Sequence, residues 1–339
     1  MHIVITGGAG FVGARLARTL LDQKSLALGG AAPAPITRIT LVDRAAPPPE
    51  LAADPRVTAV VGDLNDLLAK ESARAVPPDT ALVFHLAAAV SGECEADFEL
   101  GMRSNFAATH ALLEVCRHLG TRPALVFASS LAVFGHSPEQ PLPEVIEDHT
   151  LPTPQSSYGI QKFIGEQLVA DYARKGFVRS RSVRLMTVTV RPGRPNGAAS
   201  GFFSGMIREP LAGARGACPV ADATLVAVAS PARTVEGLIR AAEASDAEWG
   251  PRTALNLPSL TITVGDMAAA LGRVAGKAAM DLLDRTPDAA IERIVKTWPG
   301  RIHTARANAL GLRPDASFEA IVRDYVRENP DAVKLPLAS

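Results

Sequence analysis

The sequence is organised around a glycine-rich turn that joins an apolar strand to a helix. The apolar run from His2 to Thr6 leads into three glycines at intervals of three residues, and an apolar helical pattern follows from Ala14 to Leu21. The first glycine permits a tight turn, the second leaves room for phosphate groups, and the third lets the helix pack closely on the strand. The helix start then offers backbone N–H groups to an anion. We therefore assign the turn to a dinucleotide pyrophosphate, through Gly7, Gly10, Phe11, Val12 and Gly13.

An acidic residue closes the next predicted strand, which runs from Arg38 to Asp43. A carboxylate at this place accepts hydrogen bonds from the adenosine ribose and repels a 2′-phosphate, so Asp43 favours NAD over NADP. Arg44 beside it leaves NADP open as an alternative. The gap from Gly13 to Asp43 exceeds the usual spacing of about 20 residues. We interpret the surplus, residues 27–35, as a surface loop inserted between helix and strand.

A third strand, from Val57 to Leu64, also ends in an acid. Asp63 and Leu64 would lie beside the adenine ring, with the carboxylate facing its exocyclic amine. An equally good interpretation is that Asp63 caps the helix predicted from Leu64 to Val76. Both roles are kept at this point.

The fourth strand, from Thr80 to Ala89, is apolar throughout, which is typical of a parallel strand covered on both faces. The alanines at its end, Ala87 and Ala88 among them, leave room for the cofactor. His85 lies inside the strand, and we favour a hydrogen-bonded core histidine over a catalytic base.

The helix predicted from Phe98 to Leu119 carries a polar residue, Asn105, in the middle of its apolar face. A buried amide needs partners. Asn105 is either a structural bridge to a neighbouring strand, which we favour, or part of a proton relay beside the cofactor, and we include it among the cofactor-binding candidates.

Strands and helices alternate as far as a sixth strand, Arg181 to Val190, which predicts an α/β fold with a doubly wound parallel sheet of the Rossmann type. We place a cofactor-binding domain at residues 1–196. We expect residues 197–339 to form mostly a smaller C-terminal substrate lobe, and a return of some of their segments to the first sheet stays open. The proline-rich stretch 136–154 lacks periodicity, and a loop of this length is usually a functional wall or a lid.

Three residues form the candidate catalytic constellation. Tyr158 and Lys162 lie one turn apart on the helix predicted from Gln155 to Lys175, and Ser130 closes the strand from Ala124. A lysine ammonium, together with a positive nicotinamide ring, would lower the pKa of the phenol from about 10 towards the working range. Tyr158 could then take the proton of a substrate hydroxyl while Ser130 holds the developing carbonyl oxygen.

Composition limits the partners. The chain has 35 Lys and Arg against 35 Asp and Glu, and the resulting net charge of zero favours neither nucleic acid nor an acidic membrane surface. Three cysteines are far apart and in no metal-ligand spacing, so we expect buried thiols, no metal site and a reducing cytoplasm. No apolar run reaches the roughly 18 residues that a spanning helix needs.

Three stretches together resemble the extended short-chain dehydrogenase/reductase family, which includes nucleotide-sugar epimerases and dehydratases: Thr6 to Gly13, Ser129 to Gly135, and Tyr158 to Lys162. The resemblance covers about the first 200 residues with specific motifs. It implies a Rossmann fold, tightly bound NAD and a Ser-Tyr-Lys triad on Ser130, Tyr158 and Lys162. It also implies a homodimer formed through the helices 98–119 and 155–175.

The stretch 191–205 departs from the sugar-nucleotide enzymes, which have an asparagine-containing segment there that holds the nucleotide diphosphate. Together with the stretch 86–93, it is similar to a branch of the family that oxidises the C2 hydroxyl of a four-carbon sugar acid, a tetronate such as D-erythronate, with NAD. A guanidinium suits the carboxylate of such an acid, and three arginines are candidates for it. The complete set of expected substrate contacts is Ser91, Ser130, Tyr158, Arg191, Asn196, Arg208 and Arg233.

Two other functions stay open on the sequence. A nucleotide-sugar epimerase of the same family would re-reduce its own keto intermediate and release no NADH. A non-catalytic NAD sensor would share the fold, but the intact triad argues against it, since a sensor needs no proton acceptor beside the nicotinamide.

Overall fold

The computed structural model describes residues 1–193 and 198–337. The strands are β1 His2–Thr6, β2 Ser25–Leu26, β3 Ala34–Pro35, β4 Arg38–Asp43, β5 Val57–Val61, β6 Thr80–His85, β7 Ala124–Ser130, β8 Arg179–Leu185, β9 Thr187–Val188, β10 Gly216–Ala217, β11 Leu225–Ala229, β12 Leu255–Asn256, β13 Leu260–Thr263 and β14 Leu283–Asp284. Seven of them form a central parallel sheet in the order β12-β8-β7-β6-β1-β4-β5. The prediction of a doubly wound parallel sheet is therefore confirmed.

Helices cover both faces of this sheet and build the second lobe. They are α1 Phe11–Gln23, α2 Pro49–Ala52, α3 Leu64–Lys70, α4 Ser72–Ala75, α5 Ser91–Ala96, α6 Phe98–Gly101, α7 Ala108–Leu119, α8 Ser157–Arg174, α9 Phe202–Leu211, α10 Pro231–Glu243, α11 Asp246–Trp249, α12 Val264–Met280, α13 Ala289–Val295, α14 Ala305–Ala309 and α15 Phe318–Glu328. In the described part of the chain, no helix combines the length and the apolar character needed to cross a bilayer.

The two sides of the central sheet explain the continuous apolar strands. Successive side chains of a strand point to opposite faces. In β1, Ile3 and Ile5 join the core under α1 and α10, whereas Val4 joins the core under α3, α7 and α8. Both faces are buried, so every position of the strand is apolar except at its ends.

The second lobe has its own core, built from α9, α12 and α15 against a three-stranded sheet of β13, β11 and β9. Two C-terminal elements nevertheless join the first domain. The strand β12 pairs with β8 at the edge of the central sheet, and the helix α10 packs on β7 and β8. The insertion at 27–35 contains a 3-10 turn, Leu28–Gly30, and the strand β3, which pairs antiparallel with β2 just before the insertion.

Three long predicted elements are broken in the structure. The helix predicted from Leu64 to Val76 is interrupted at Glu71, between α3 and α4. The helix expected over 98–119 contains a π-helical turn, Met102–Ala107, between α6 and α7. The sixth strand leaves the central sheet after Leu185, and its continuation, β9, pairs with β11 of the second lobe. The break brings the segment after β9 over the carboxyl ends of the central strands.

Candidate active site

The glycine turn has the geometry that a dinucleotide requires. Gly7 has a φ of +72°, and a Cβ there would lie 2.8 Å from the backbone nitrogen of Ala87. A Cβ on Gly13 would lie 2.1 Å from the carbonyl oxygen of Gly7. Only glycine fits at these two positions, and Gly10, the N-cap residue of α1, provides no capping side chain. The helix start is therefore available to an anion, and these residues fit the pyrophosphate of NAD.

The two acids lie on the cavity wall in different settings. The carboxylate of Asp43 accepts hydrogen bonds from the N–H of Ala9 at 3.0 Å and of Ala45 at 3.2 Å, which fixes it beside the glycine turn. Asp63 caps α3 by accepting the N–H of Asn65 at 3.0 Å, and Arg44 pairs with it at 2.9 Å. The capping role of Asp63 is thus present, and its contact with adenine stays a prediction.

One cavity of about 410 Å³ runs along the carboxyl ends of the strands from the glycine turn to the second lobe. It brings together most of the predicted residues: Gly7, Gly10, Phe11, Val12, Gly13, Asp43, Asp63, Leu64, Ala87, Ala88, Ser91, Ser130, Tyr158, Lys162 and Arg191. Three candidates do not line it, namely Asn105, Arg208 and Arg233. A fourth, Asn196, lies outside the described residues.

Close packing of α8 on β7 assembles Ser130, Tyr158 and Lys162. Ser156 caps α8 by accepting the N–H of Gly159 at 3.1 Å. A Cβ on Gly159 would lie 2.1 Å from the carbonyl oxygen of Ala132, so glycine beside Tyr158 lets the helix approach the turn after Ser130. The ammonium of Lys162 donates to the carbonyl of Ala128 at 2.8 Å and lies 5.7 Å from the centroid of the Tyr158 ring.

Burial controls the protonation of this group. It raises the pKa of Tyr158 to about 12, although a hydrogen bond with Ser130 and the charge of Arg191 act in the opposite direction. Burial also lowers the pKa of Lys162 to about 8, and the carboxylate of Glu166 opposes this change. The lowering of the Tyr158 pKa by Lys162 and the nicotinamide charge stays a prediction. The protein itself supplies a proton-bearing phenol and a lysine that titrates near neutral pH.

Asn105 does not face the cavity, which corrects its place among the cofactor-binding candidates. Its side-chain oxygen accepts the N–H of Ala89 at 2.8 Å, and its amide donates to the carbonyl of Ala89 at 3.2 Å and to Gln161 at 2.8 Å. The amide thus ties the segment after β6 to α8. The structural interpretation of Asn105 accounts for all of these contacts.

His85 is a core histidine, as predicted. Its Nδ1 lies 2.7 Å from the hydroxyl of Thr6, and its Nε2 lies 3.0 Å from that of Thr109. Burial lowers the pKa of His85 to about 3, so the ring is neutral.

Of the three candidate arginines, Arg191 is the one that lines the cavity. Its Nε donates to the carbonyl of Val188 at 2.9 Å, and one terminal nitrogen donates to Ser200 at 2.8 Å. The guanidinium carbon is 5.6 Å from the centroid of the Phe11 ring. Burial lowers the pKa of Arg191 to about 10, which leaves it charged at neutral pH.

The other two arginines are engaged elsewhere. Arg208 is buried and donates to the backbone carbonyl of Arg191 at 2.9 Å and to Glu209 at 2.5 Å. It therefore supports Arg191 from behind rather than facing the cavity. Arg233 pairs with Glu236 at 2.6 Å at the surface of α10 and does not line the cavity, so the structure gives no support to the predicted substrate contact of Arg233.

Sequence reasoning missed a buried ion pair beneath the triad. Glu166, one turn after Lys162 on α8, accepts two hydrogen bonds from Arg184 of β8 at 2.9 and 2.7 Å and one from Ser129 at 2.5 Å. The spacing of Lys162 and Glu166 on one helix face was the available signal. Trp298 also lines the cavity. It lies far along the chain from the recognised motifs, so no sequence pattern predicts its place at the site.

The comparisons with known proteins agree with this geometry. A sequence profile of the NAD-dependent epimerase/dehydratase family matches residues 3–226. The chain belongs to this family. Its cofactor is NAD, and it is an NAD-dependent oxidoreductase.

Two relatives match nearly the whole chain. A D-erythronate dehydrogenase of Cupriavidus necator is 48% identical over 97% of this chain and 98% of its own length. A D-erythronate dehydrogenase of Haemophilus influenzae is 39% identical over 96% of this chain and 99% of its own length. The chain resembles these enzymes along its full length.

A solved structure from Agrobacterium tumefaciens, described as a nucleoside-diphosphate-sugar epimerase, is 39% identical with a TM-score of 0.86 and covers 98% of this chain and 95% of that one. The L-threonine dehydrogenase of Trypanosoma brucei has a TM-score of 0.81 at 22% identity, with 98% of each chain covered, and so shares the fold.

Proposed function

We propose that this protein oxidises the C2 hydroxyl of a small sugar acid, D-erythronate or a related tetronate, to the 2-oxo acid with NAD. The observation that carries the proposal is the shared cavity wall of Ser130, Tyr158 and Arg191, a hydroxyl, a phenol and a guanidinium at one end of a dinucleotide cleft. The full-length similarity to D-erythronate dehydrogenases supports the same substrate.

The protein groups have separate tasks in this reaction. Tyr158 takes the proton of the C2 hydroxyl, and Ser130 donates a hydrogen bond to the oxygen as it becomes a carbonyl. Lys162 stabilises the phenolate through its charge. When bound, NAD supplies the acceptor for the hydride that leaves the same carbon.

Arg191 is the proposed anchor of the substrate carboxylate. Its contacts with Val188 and Ser200 hold the guanidinium in a fixed orientation, and Arg208 holds its backbone. A preorganised guanidinium recognises a carboxylate better than a lysine does, because it offers paired donors in a plane. Ser91, at the start of α5, is buried against Ala199 and offers a hydroxyl beside the same cavity.

The experiment is the appearance of NADH at 340 nm with purified protein across four- to six-carbon aldonates, UDP-glucose and UDP-galactose. Turnover of a tetronate with NAD, and little with NADP, would support the proposal and the role of Asp43. An apparent substrate affinity unchanged in Arg191→Ala would remove Arg191 as the anchor.

A nucleotide-sugar 4-epimerase or dehydratase is the second candidate function. It is favoured by the family and by a UDP-glucuronate 4-epimerase of Arabidopsis thaliana that is 32% identical over 58% of this chain. No NADH production with any of the acids, together with interconversion of a nucleotide sugar, would support this second function.

The proposed enzyme is cytoplasmic and a homodimer. α6, α7 and α8 are the expected interface, and two apolar side chains of this region, Phe98 and Ile160, are 59% and 47% exposed. Light scattering of the purified protein gives the mass directly, and a monomer at micromolar concentration would contradict this assembly.

A further inference from the structure

One side chain of the C-terminal region reaches the cavity. Beyond Ser200, Trp298 is the only described residue that lines it. The polar residues of this end include Ser130, Tyr158, Lys162 and Arg191, whereas an indole is a large, rigid and mainly apolar surface. Its presence needs an explanation that the triad does not provide.

The chain around Trp298 is adjacent to both ends of the proposed reacting centre. The carbonyl of Thr297 accepts the N–H of His136 at 2.9 Å, six residues after Ser130. On the other side, α13, which ends three residues before Trp298, packs against the turn Ala199–Gly201 that holds Arg191. Trp298 therefore belongs to the substrate end of the cavity.

The segment that carries the indole is fastened to the proline-rich loop 136–154. The N–H of Ile146 donates to the carbonyl of Arg301 at 3.0 Å, and the N–H of His303 donates to the carbonyl of Ile146 at 2.8 Å. His303 also pairs with Glu147 at 2.7 Å. These contacts make the loop and the segment one wall.

Packing positions the ring itself. Trp298 contacts the cores of both lobes, and its indole nitrogen is buried without a hydrogen-bond partner among residues 1–193 and 198–337. Movement of the ring out of its place between the two cores would leave a cavity behind, and such a cavity destabilises the folded protein. Movement into either core would overpack that core, which is also destabilising. The indole is thus a fixed boundary of the cavity.

We propose that Trp298 sets the chain length of the acid that the enzyme accepts, an inference that rests on the proposed function. With the carboxylate at Arg191 and C2 between Ser130 and Tyr158, the far end of a four-carbon acid lies against the indole. The same cavity also has to hold the cofactor, whose glycine turn lies on its wall. A fifth or sixth carbon with its hydroxyl therefore meets the ring.

The test compares the wild type with Trp298→Ala and with Trp298→Phe, which keeps a flat ring. A single methylene in an apolar pocket changes specificity by about 10- to 200-fold. We expect Trp298→Ala to raise the ratio of kcat/KM for pentonates over tetronates by about tenfold or more. Trp298→Phe should shift this ratio by about threefold or less, and the KM for NAD should stay the same in both variants.

Fluorescence gives a readout that does not depend on turnover. The chain has two tryptophans, and Trp249 is buried elsewhere between Arg181 and Arg306. In a Tyr158→Phe/Trp249→Phe protein loaded with NAD, the emission of Trp298 should change saturably as D-erythronate is added. In a Tyr158→Phe/Trp298→Phe protein, the emission of Trp249 should not change.

The outcomes separate the two proposals. A wild type that oxidises no aldonate refutes the proposed function and the inference with it. A wild type active on a tetronate, with an unchanged chain-length ratio in a folded Trp298→Ala protein, refutes only the role of Trp298. If Trp298→Ala does not fold, an unchanged Trp298 emission on saturation with D-erythronate refutes it equally.

Discussion

The buried pair of Glu166 and Arg184 gives the sharpest prediction on how the catalytic helix is held. Glu166 is 3% and Arg184 is 5% exposed, and the carboxylate also accepts the hydroxyl of Ser129. Glu166→Gln keeps the shape but removes the charge, which leaves the guanidinium buried without compensation. Breaking a buried pair on one side costs about 3–5 kcal/mol. We expect a loss of this size in the free energy of unfolding.

Thermal unfolding followed by differential scanning fluorimetry measures this effect. At about 2 °C per kcal/mol for a large domain, the Tm should fall by about 6–10 °C. Glu71→Gln is the matched control, because its pair with Arg74 lies at the surface and should contribute less than about 1 kcal/mol. The double variant Glu166→Leu/Arg184→Met removes both charges and should recover part of the loss. A loss below about 1 kcal/mol in Glu166→Gln would refute the reasoning.

The same substitution should affect catalysis through Lys162. The charge of Glu166 opposes the effect of burial on the lysine, so its removal lowers the pKa of Lys162 further below about 8. Lys162 then loses its ammonium charge at lower pH, and the alkaline limb of the kcat profile should move in that direction. An unchanged profile in a folded variant would show that Glu166 acts on stability alone.

Three further predictions concern the cofactor turn and the triad. Tyr158→Phe should lower kcat by about 10²–10⁴-fold, measured by NADH production, with the affinity for NAD retained; a full rate would rule out Tyr158 as general base. Gly13→Ala should weaken NAD binding in calorimetry by about tenfold or more, because its Cβ would lie 2.1 Å from the Gly7 carbonyl oxygen and the turn must open. Gly205→Ala is its control, since that Cβ meets its nearest neighbour at an ordinary 3.4 Å. The pKa of Lys162 is about 8 in the native protein, so between pH 8 and 10 the unfolded chain binds more protons at this lysine than the native protein does. The Tm of the wild type relative to that of Lys162→Met should therefore rise with pH across this range. A constant or falling difference would contradict the assigned pKa.

Sequence reasoning predicted best where a strand is bounded by polar or glycine residues. β1, β4 and β7 begin and end as predicted, because their apolar runs stop abruptly at Gly7, at Asp43 and after Ser130. It failed where an apolar run continues through a change of sheet. The run through Val190 reads as one strand, yet the chain passes to the second lobe after Leu185, and apolar periodicity does not record which sheet a strand joins.

The π-helical turn explains a second limit of the sequence. Asn105 interrupts an apolar face at a regular 3.6-residue period, which suggested a polar group beside the cofactor. The extra residue of the turn shifts the helix phase locally, and the buried amide reaches Ala89 and Gln161 instead. Phase shifts of this kind have no residue signature, and they recur near functional sites in proteins.

The three candidate arginines show which site residues a sequence can place. Arg191 follows a strand, and the carboxyl ends of strands in an open α/β sheet face the ligand, so strand order alone places it near the reacting centre. Arg208 and Arg233 lie on α9 and α10, and the direction of a helical side chain depends on how the helix docks. Docking is decided by packing of residues distant in the chain, such as the contacts of α9 with α12. A cation after a strand is therefore a stronger sequence candidate than one on a helix.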